Sequence, residues 1–157
     1  MGVEIERKFL IDHEKWDLLN KPDGVHYRQG YILNNGQETI RVRVSDRQGF
    51  LNLKSKVSSM TRKEYEYEIP LAEAIEILNA FTKHRTEKIR YRIPFETKIW
   101  EVDVFLGDNA GLIVAEIELT GESDKFIKPD WITTEVTDDG RYSNASLSVH
   151  PFKGWGT

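Results

Sequence analysis

The 157-residue chain contains no cysteine. Disulfide bridges, thiolate metal sites and a cysteine nucleophile are therefore excluded. The four histidines lack the spacing of a metal site, and we interpret them as surface or packing residues: His13, His26, His84 and His150. A signal-peptide pattern and long apolar runs are also absent, so the sequence predicts a soluble, cytoplasmic protein that does not associate with a membrane.

An excess of charge of one sign is also missing. The chain has 22 basic and 26 acidic residues, which gives a formal net charge of −4. This balance provides no general electrostatic reason to bind nucleic acid or an anionic membrane, and we expect neither partner. Basic residues concentrated in one place could still hold a compact anion. Nothing in the sequence requires a protein partner, so a monomer and a homodimer both remain open.

Apolar and polar residues alternate along most of the chain. This pattern predicts eight strands, over residues 1–11, 25–33, 38–45, 50–57, 62–69, 86–94, 98–105 and 112–120. Asn34-Asn35-Gly36 predicts a hairpin turn between the second and third strands. Helical spacing predicts helices over residues 13–20 and 71–81, with further helical potential at 123–127 and 144–149. We predict a mainly β, α+β fold: one domain over residues 1–157, built as a closed eight-stranded antiparallel barrel with a few flanking helices.

Charged residues occupy the polar positions of these strands, and each strand tends to carry one sign. The basic positions are Lys8, Arg41, Arg43, Lys54, Lys56, Lys88, Arg90 and Arg92. The acidic positions are Glu4, Glu6, Glu64, Glu66, Glu68, Glu101, Asp103, Glu116 and Glu118. Alternate residues of a strand point to opposite faces, so each set shares one face of its strand. The alternation does not say which face lies inside, and for an arbitrary sequence exposed charges are the commoner arrangement.

Several motifs bear on that choice. Glu4-Ile5-Glu6-Arg7-Lys8 resembles the ExExK signature of the CYTH, or triphosphate tunnel metalloenzyme, family. Further motifs follow in the family's order: Gln29-Gly30-Tyr31, Arg41-x-Arg43, Leu53-Lys54-Ser55, Glu64-Tyr65-Glu66, Glu87-Lys88-x-Arg90-Tyr91, Glu101-x-Asp103, Glu116-x-Glu118, Glu135-Val136-Thr137 and Arg141-Tyr142-Ser143-Asn144. A lone ExExK would be weak evidence for the resemblance, but this ordered set of motifs covers nearly the whole chain. The chain is most similar to the short bacterial members, which are commonly inorganic tripolyphosphatases.

The resemblance implies a barrel whose charged face lines a tunnel for a triphosphate. It assigns phosphate binding to Lys8, Arg41, Arg43, Lys54, Lys88, Arg90 and Arg141. Metal binding, with Mg²⁺ or Mn²⁺ as the cofactor, is assigned first to Glu4, Glu6, Glu116 and Glu118, and second to Asp103, Glu64 and Glu66. Such cations prefer oxygen ligands, and guanidinium and ammonium groups offset phosphate charge.

The resemblance also implies catalytic roles. Lys8 and Tyr31 are expected to act together in proton transfer, with Tyr27 as a rival to Tyr31. Arg141 and the segment from Tyr142 to Leu147 are expected either to plug one tunnel mouth or to serve a plain structural role.

The predicted activity is metal-dependent hydrolysis of inorganic tripolyphosphate, with ATP as a further possible substrate. Relatives in the superfamily leave alternatives open: a class IV-type adenylate cyclase, or a nucleoside or thiamine triphosphatase. A non-catalytic polyphosphate or nucleotide sensor is a third hypothesis. It is disfavoured because a sensor has less need of the four principal carboxylates.

Overall fold

The computed structural model describes residues 2–156, and over that range the chain forms nine β-strands and three α-helices. The strands are β1 (Gly2–Ile11), β2 (Val25–Asn34), β3 (Glu38–Val44), β4 (Gly49–Lys56), β5 (Thr61–Ile69), β6 (Arg85–Phe95), β7 (Lys98–Phe105), β8 (Ile113–Glu118) and β9 (Ile132–Glu135). The helices are α1 (His13–Leu18), α2 (Leu71–Phe81) and α3 (Asn144–Val149). Met1, which the sequence placed in the first strand, lies outside the described residues.

All strand pairs are antiparallel, and they form one sheet in the order β5-β4-β3-β2-β6-β7-β8-β1-β9. The barrel closes where the first residues of β1 pair with β5, Gly2 opposite Glu64 and Ile5 opposite Thr61. The following residues of β1 pair with β8, and its end pairs with β9. The predicted closed barrel of eight antiparallel strands is therefore confirmed, with β9 as an additional strand.

The predicted turn between β2 and β3 is present. Gly36 adopts a φ of +88°, a conformation that side chains with a Cβ rarely adopt. The side-chain oxygen of Asn35 accepts hydrogen bonds from the backbone N–H groups of Gln37 and Glu38, at 3.0 and 2.8 Å. These local bonds fix the register next to the turn, and a shift in register between Leu33 and Tyr31 then places Tyr31 opposite Arg41.

The main apolar core lies outside the barrel. Trp100, Val102 and Ile117 point away from the tunnel and are fully buried. They are covered by Trp16 of α1 and by Trp131 from the segment before β9, which pack edge-to-face against neighbouring aromatic rings. Helices and loops thus bury the outward face, and the inward face is left for charge.

A second outer cluster forms under α2. Ala74 and Leu78 of this helix pack against Val42 and Val44 of β3, and all four are buried. The sequence predicted the bounds of α2 correctly, because its apolar residues follow helical spacing from the proline that precedes it.

The inward face of the barrel becomes apolar at one end. Phe105 and Val114 share their strand faces with Asp103 and Glu116, respectively, but pack against Leu147 of α3, which is fully buried. The predicted helix over residues 144–149 is confirmed, and it covers this end of the tunnel. We call it the α3 end.

Two predictions for the last third of the chain are wrong. Residues 123–127 are not helical, because the Asp124 carboxylate accepts bonds from the N–H and hydroxyl of Thr120 and pairs with Lys98, which holds a turn. The short strand β9 was not predicted.

Helix α1, near the start of the chain, ends at Leu18, two residues before the predicted end at residue 20, because the backbone of Leu19 is extended. Among residues 2–156, no helix has the length and apolar character needed to cross a bilayer.

Candidate active site

The charged face of the strands encloses a cavity of about 490 Å³. It is lined by most of the residues predicted from the sequence: Glu4, Glu6, Lys8, Tyr31, Arg41, Arg43, Lys54, Glu64, Glu66, Arg90, Glu116 and Glu118. The exposed-charge alternative is therefore wrong for this chain. The cavity is a tunnel with cationic and anionic walls, because each strand contributes side chains of mostly one sign.

Lys8 stands at the centre of the acidic side. Its ammonium donates to Glu6 Oε1 at 3.0 Å, and the strand register places it opposite Glu116. Burial alone would lower the pKa of Lys8, but the carboxylates of Glu6 and Glu116 outweigh burial and raise the pKa above its ordinary value. Lys8 is therefore a cation in this arrangement, and it is a poor base.

The two tyrosines considered for catalysis both line the cavity. Tyr31 is 9% exposed and lies opposite Arg41 in the β2–β3 pair. Tyr27 faces Arg43, whose guanidinium carbon lies 4.8 Å from the centre of the Tyr27 ring. Tyr27 thus makes a cation–π contact with Arg43. Tyr31 instead lies beside Arg41, two of whose N–H donor groups have no hydrogen-bond partner among residues 2–156.

Carboxylates crowd the wall formed by β1 and β8. Glu6 lies opposite Glu118 in the register. Burial, reinforced by the charge of Glu6, raises the pKa of Glu116 to about 7. Burial and the nearby charge of Glu4 also raise the pKa of Glu118. These raised pKa values show that the positive charges nearby only partly offset the negative charge of the buried carboxylates.

The chemistry of this wall suits a hard divalent cation. Its donors are carboxylate oxygens, which Mg²⁺ and Mn²⁺ prefer, and a cation there would offset the charge that raises the pKa of Glu116. The part of the chain that the structure describes holds no ready-made cluster of three ligating His, Asp or Glu side chains. Instead, Glu4 accepts from Lys54 at 3.1 Å, and Glu116 lies 3.6 Å from Arg90.

Arg41 stands on the opposite, cationic wall. It is only 5% exposed, and its buried Nε and Nη2 find no hydrogen-bond partner within residues 2–156. Burial, together with the positive charge of Arg41, lowers the pKa of the neighbouring Arg43 to about 10. Two adjacent guanidinium groups repel each other, and Arg41 has donors without a partner among the described residues, so an anion would stabilise this site.

Lys88 and Asp103 form a fully buried ion pair behind this surface, with Lys88 Nζ 2.7 Å from Asp103 Oδ2. Arg90 also holds Asp103 through Nε and Nη2, at 2.7 and 2.9 Å. Burial would raise the pKa of Asp103, but the charges of Arg90 and Lys88 outweigh it and hold the pKa well below its usual value. Neither Lys88 nor Asp103 lines the cavity. Asp103 thus orients two cations.

Like the buried Lys88, the predicted phosphate-binding residue Arg141 does not line the cavity, and it lies at the surface. Its side chain is 62% exposed, pairs with Asp139 at 2.7 Å and does not line the cavity. The residues of the same segment that do line it are uncharged: Gly140, Ser143, Asn144, Ala145 and Ser146.

Sequence reasoning missed several residues of the cavity wall, and two of them contact its carboxylates. Arg62 lies 3.7 Å from Glu6 Oε1, and Asn52 donates to Glu66 Oε2 at 2.6 Å. Both could have been found from strand alternation, because Arg62 shares its face with Glu64, and Asn52 shares its face with Lys54.

Comparisons with known proteins agree with this geometry. Residues 2–149 match the family model described as the CYTH domain. An inorganic triphosphatase of Acetivibrio thermocellus is 49% identical over 156 residues, covering 99% of both chains. An inorganic triphosphatase of Nitrosomonas europaea is 35% identical over 156 residues, covering 94% of this chain and 97% of the relative. A crystal structure of an inorganic triphosphatase superposes with a TM-score of 0.63 at 33% identity, covering 93% of this chain and 97% of the other. The chain belongs to the CYTH domain family.

Proposed function

We propose that this protein hydrolyses the terminal phosphoanhydride bond of inorganic tripolyphosphate in its charged tunnel, with Mg²⁺ or Mn²⁺ as cofactor. The proposal takes residues 1–157 as one triphosphate tunnel domain. The 49% identical relative, which aligns over 99% of both chains, is an inorganic triphosphatase, and this supports the same reaction class here.

The observation that carries the proposal is the buried guanidinium of Arg41, which lines a cavity of about 490 Å³ and whose Nε and Nη2 have no hydrogen-bond partner among residues 2–156. Unmet buried donors cost free energy, so they are expected where a ligand supplies the acceptors. Phosphate oxygens match the fixed fork of a guanidinium. Arg43, Lys54 and Arg90 line the same cavity, and together they can offset the charge of a linear triphosphate.

In the proposed reaction, the oxygen of water forms a bond to the terminal phosphorus, and the bond from that phosphorus to the bridging oxygen breaks. Orthophosphate and pyrophosphate are the products. Lys8, an ammonium held by Glu6, can give a proton to the leaving oxygen, and the proton that the attacking water loses restores the ammonium. The Tyr31 hydroxyl can assist this transfer. The cations of the tunnel wall stabilise charge as it moves to the leaving oxygen.

Glu4, Glu6, Glu116 and Glu118 would hold the metal, with Glu64 and Glu66 as further candidates. A bound Mg²⁺ or Mn²⁺ supplies positive charge to phosphoryl oxygens and makes water more acidic. Asp103 is fully engaged with Lys88 and Arg90, so we assign it to orienting those two cations.

The test is phosphate release from tripolyphosphate, ATP and pyrophosphate, each with Mg²⁺, with Mn²⁺ and with chelator, with cyclic AMP measured in parallel. We expect metal-dependent release that is fastest from tripolyphosphate. Cyclic AMP and pyrophosphate from ATP would instead identify a cyclase. Tight binding of tripolyphosphate with no turnover in either metal would identify a sensor.

A further inference from the structure

Helix α3 contacts the buried cation Lys88 through one uncharged side chain. The carboxamide oxygen of Asn144, the first residue of α3, accepts from Lys88 Nζ at 3.1 Å and from Gln29 Nε2 at 2.7 Å. Lys88 and Gln29 are both fully buried, and they stand on different strands, β6 and β2. One oxygen atom on α3 therefore joins two strands of the barrel.

Gln29 extends this connection to a third strand. Its Nε2 also donates to Thr86 Oγ1 at 3.0 Å, and its Oε1 accepts from Arg43 Nε at 3.3 Å. Gln29 is an uncharged residue at an inward position, opposite Arg43 in the register. A continuous polar chain thus runs from Arg43 through Gln29 to Asn144 and on to Lys88.

The side-chain amides of Gln29 and Asn144 carry no net charge, and this affects the neighbouring cations. A carboxylate next to Lys88 or Arg43 would compete with phosphate for their positive charge, as Asp103 already does for Lys88. An amide oxygen fixes the direction of an N–H group without cancelling the charge of its cation. Gln29 can therefore orient Arg43, which lines the tunnel, and leave its charge available to an anion there, while Asn144 holds Gln29.

Helix α3 is fixed in position by packing and by a hydrogen bond, so it can hold the Asn144 side chain in place. Leu147 is fully buried in the apolar cluster with Phe105 and Val114. Asn34, in the hairpin between β2 and β3, donates through Nδ2 to the carbonyl oxygen of Ala145 at 3.0 Å. The position of Asn144 is therefore set by packing at one side of α3 and by the hairpin at the other.

We propose that Asn144 is a positioning residue: it holds Gln29, and through Gln29 it orients Arg43 toward an anion at the α3 end of the tunnel, with the buried Lys88 as its second hydrogen-bond partner. The inference rests on the proposed function, because it concerns the phosphate-binding wall of the same site. It gives α3 a part in substrate affinity, in addition to covering the tunnel end.

The test measures tripolyphosphate binding by titration calorimetry in chelator, and kcat and KM with Mg²⁺, for Asn144→Ala, Asn144→Asp and Ser148→Ala. Ser148 is the matched control, because it lies in α3 and bonds only the carbonyl oxygen of Ala145 among the described residues. Asn144→Ala should weaken binding about tenfold, the scale of one or two lost hydrogen bonds to charged groups. Ser148→Ala should bind like the wild type.

Asn144→Asp separates positioning from a structural role. It keeps the acceptor oxygen and is well tolerated in the first turn of a helix, so the melting temperature should stay near that of the wild type. Its added negative charge beside Lys88 should weaken tripolyphosphate binding more than Asn144→Ala does. Wild-type affinity in both Asn144 variants would overturn the inference. If the wild type binds tripolyphosphate but does not cleave it, the proposed hydrolysis fails while the binding data still test Asn144. If the wild type neither binds nor cleaves it, both proposals fail.

Discussion

Lys8 and Glu6 lie two residues apart on the inward face of β1, and the ammonium of Lys8 donates to Glu6 Oε1 at 3.0 Å. Glu6 shares this ammonium with Glu116, whose charge also raises the pKa of Lys8. The relationship decides the chemistry open to Lys8. A lysine beside carboxylates remains protonated near neutral pH, so Lys8 is available as a cation, and we propose it as the proton donor.

Lys8→Gln should therefore lower kcat for tripolyphosphate by about 10²- to 10³-fold, because glutamine keeps the hydrogen bond to Glu6 but has no proton to give. Steady-state kinetics with Mg²⁺ measure this loss. Lys63→Gln is the control, since Lys63 is an exposed lysine of β5. A Lys8→Gln enzyme with near-normal kcat would contradict the assignment of Lys8 as the proton donor.

Arg41→Met should separate activity from stability. Removing the guanidinium should reduce kcat/KM by about 10²-fold, the scale of one lost charge-stabilising donor. The melting temperature should hold or rise, because an apolar side chain replaces buried donors without partners in the described chain. Kinetics and thermal denaturation of the same variant provide both measurements.

The matched comparison is Arg7→Met. Arg7 forms a bidentate pair with Glu135 on the outer surface, at 2.7 and 2.5 Å. Its loss should lower the melting temperature slightly and leave kinetics unchanged. If Arg41→Met lost stability and kept activity, Arg41 would be a structural residue.

Glu116→Gln should weaken the response to metal. The carboxylate wall fits a divalent cation, and losing one of its charges should raise the Mg²⁺ concentration for half-maximal activity about tenfold or more. The rate is measured against free Mg²⁺ at saturating tripolyphosphate. Glu76→Gln, at an exposed position of α2, should follow the wild-type curve. An unchanged Mg²⁺ response in Glu116→Gln would remove Glu116 from the metal site.

Asp124→Asn should destabilise the fold in a pH-dependent way without altering kinetics. The pair with Lys98 and the bonds from Thr120 lower the folded-state pKa of Asp124 to about 2, below its unfolded value near 3.9. A depressed carboxyl pKa contributes stability that is fully present above the unfolded value and is lost as pH falls toward the folded value.

Thermal denaturation of the wild type and Asp124→Asn should therefore differ most above about pH 5, and the difference should vanish near pH 2. A difference that stayed constant between pH 7 and pH 2 would show that the Asp124 charge contributes nothing.

Strand alternation predicted the barrel and its charged face, because a period of two is local information in the sequence. It could not say whether Arg41 or Val42 points inward, since both choices satisfy the pattern. That choice depends on distant segments: Trp16, Trp131 and α2 cover the outward face, and only then can charge turn inward. The family resemblance supplied the answer that periodicity left open.

The errors arise from both distant and local contacts. Residues 123–127 have helical spacing, but Asp124 pairs with the distant Lys98 and accepts a hydrogen bond from Thr120, four residues before it. Arg141 follows the motif, yet Asp139 lies two residues away and holds it at the surface. The roles of Gln29 and Asn144 could not be seen in the sequence, because their partners are 115 and 56 positions distant.

The central claim is that the tunnel cleaves a linear triphosphate at its terminal bond. The most direct measurement is a ³¹P NMR time course of tripolyphosphate with the wild-type protein and Mg²⁺. We expect the tripolyphosphate signals to disappear while orthophosphate and pyrophosphate appear in equal amounts, and we expect chelator to stop the conversion. Unchanged tripolyphosphate under these conditions, with ATP consumed instead, would contradict it.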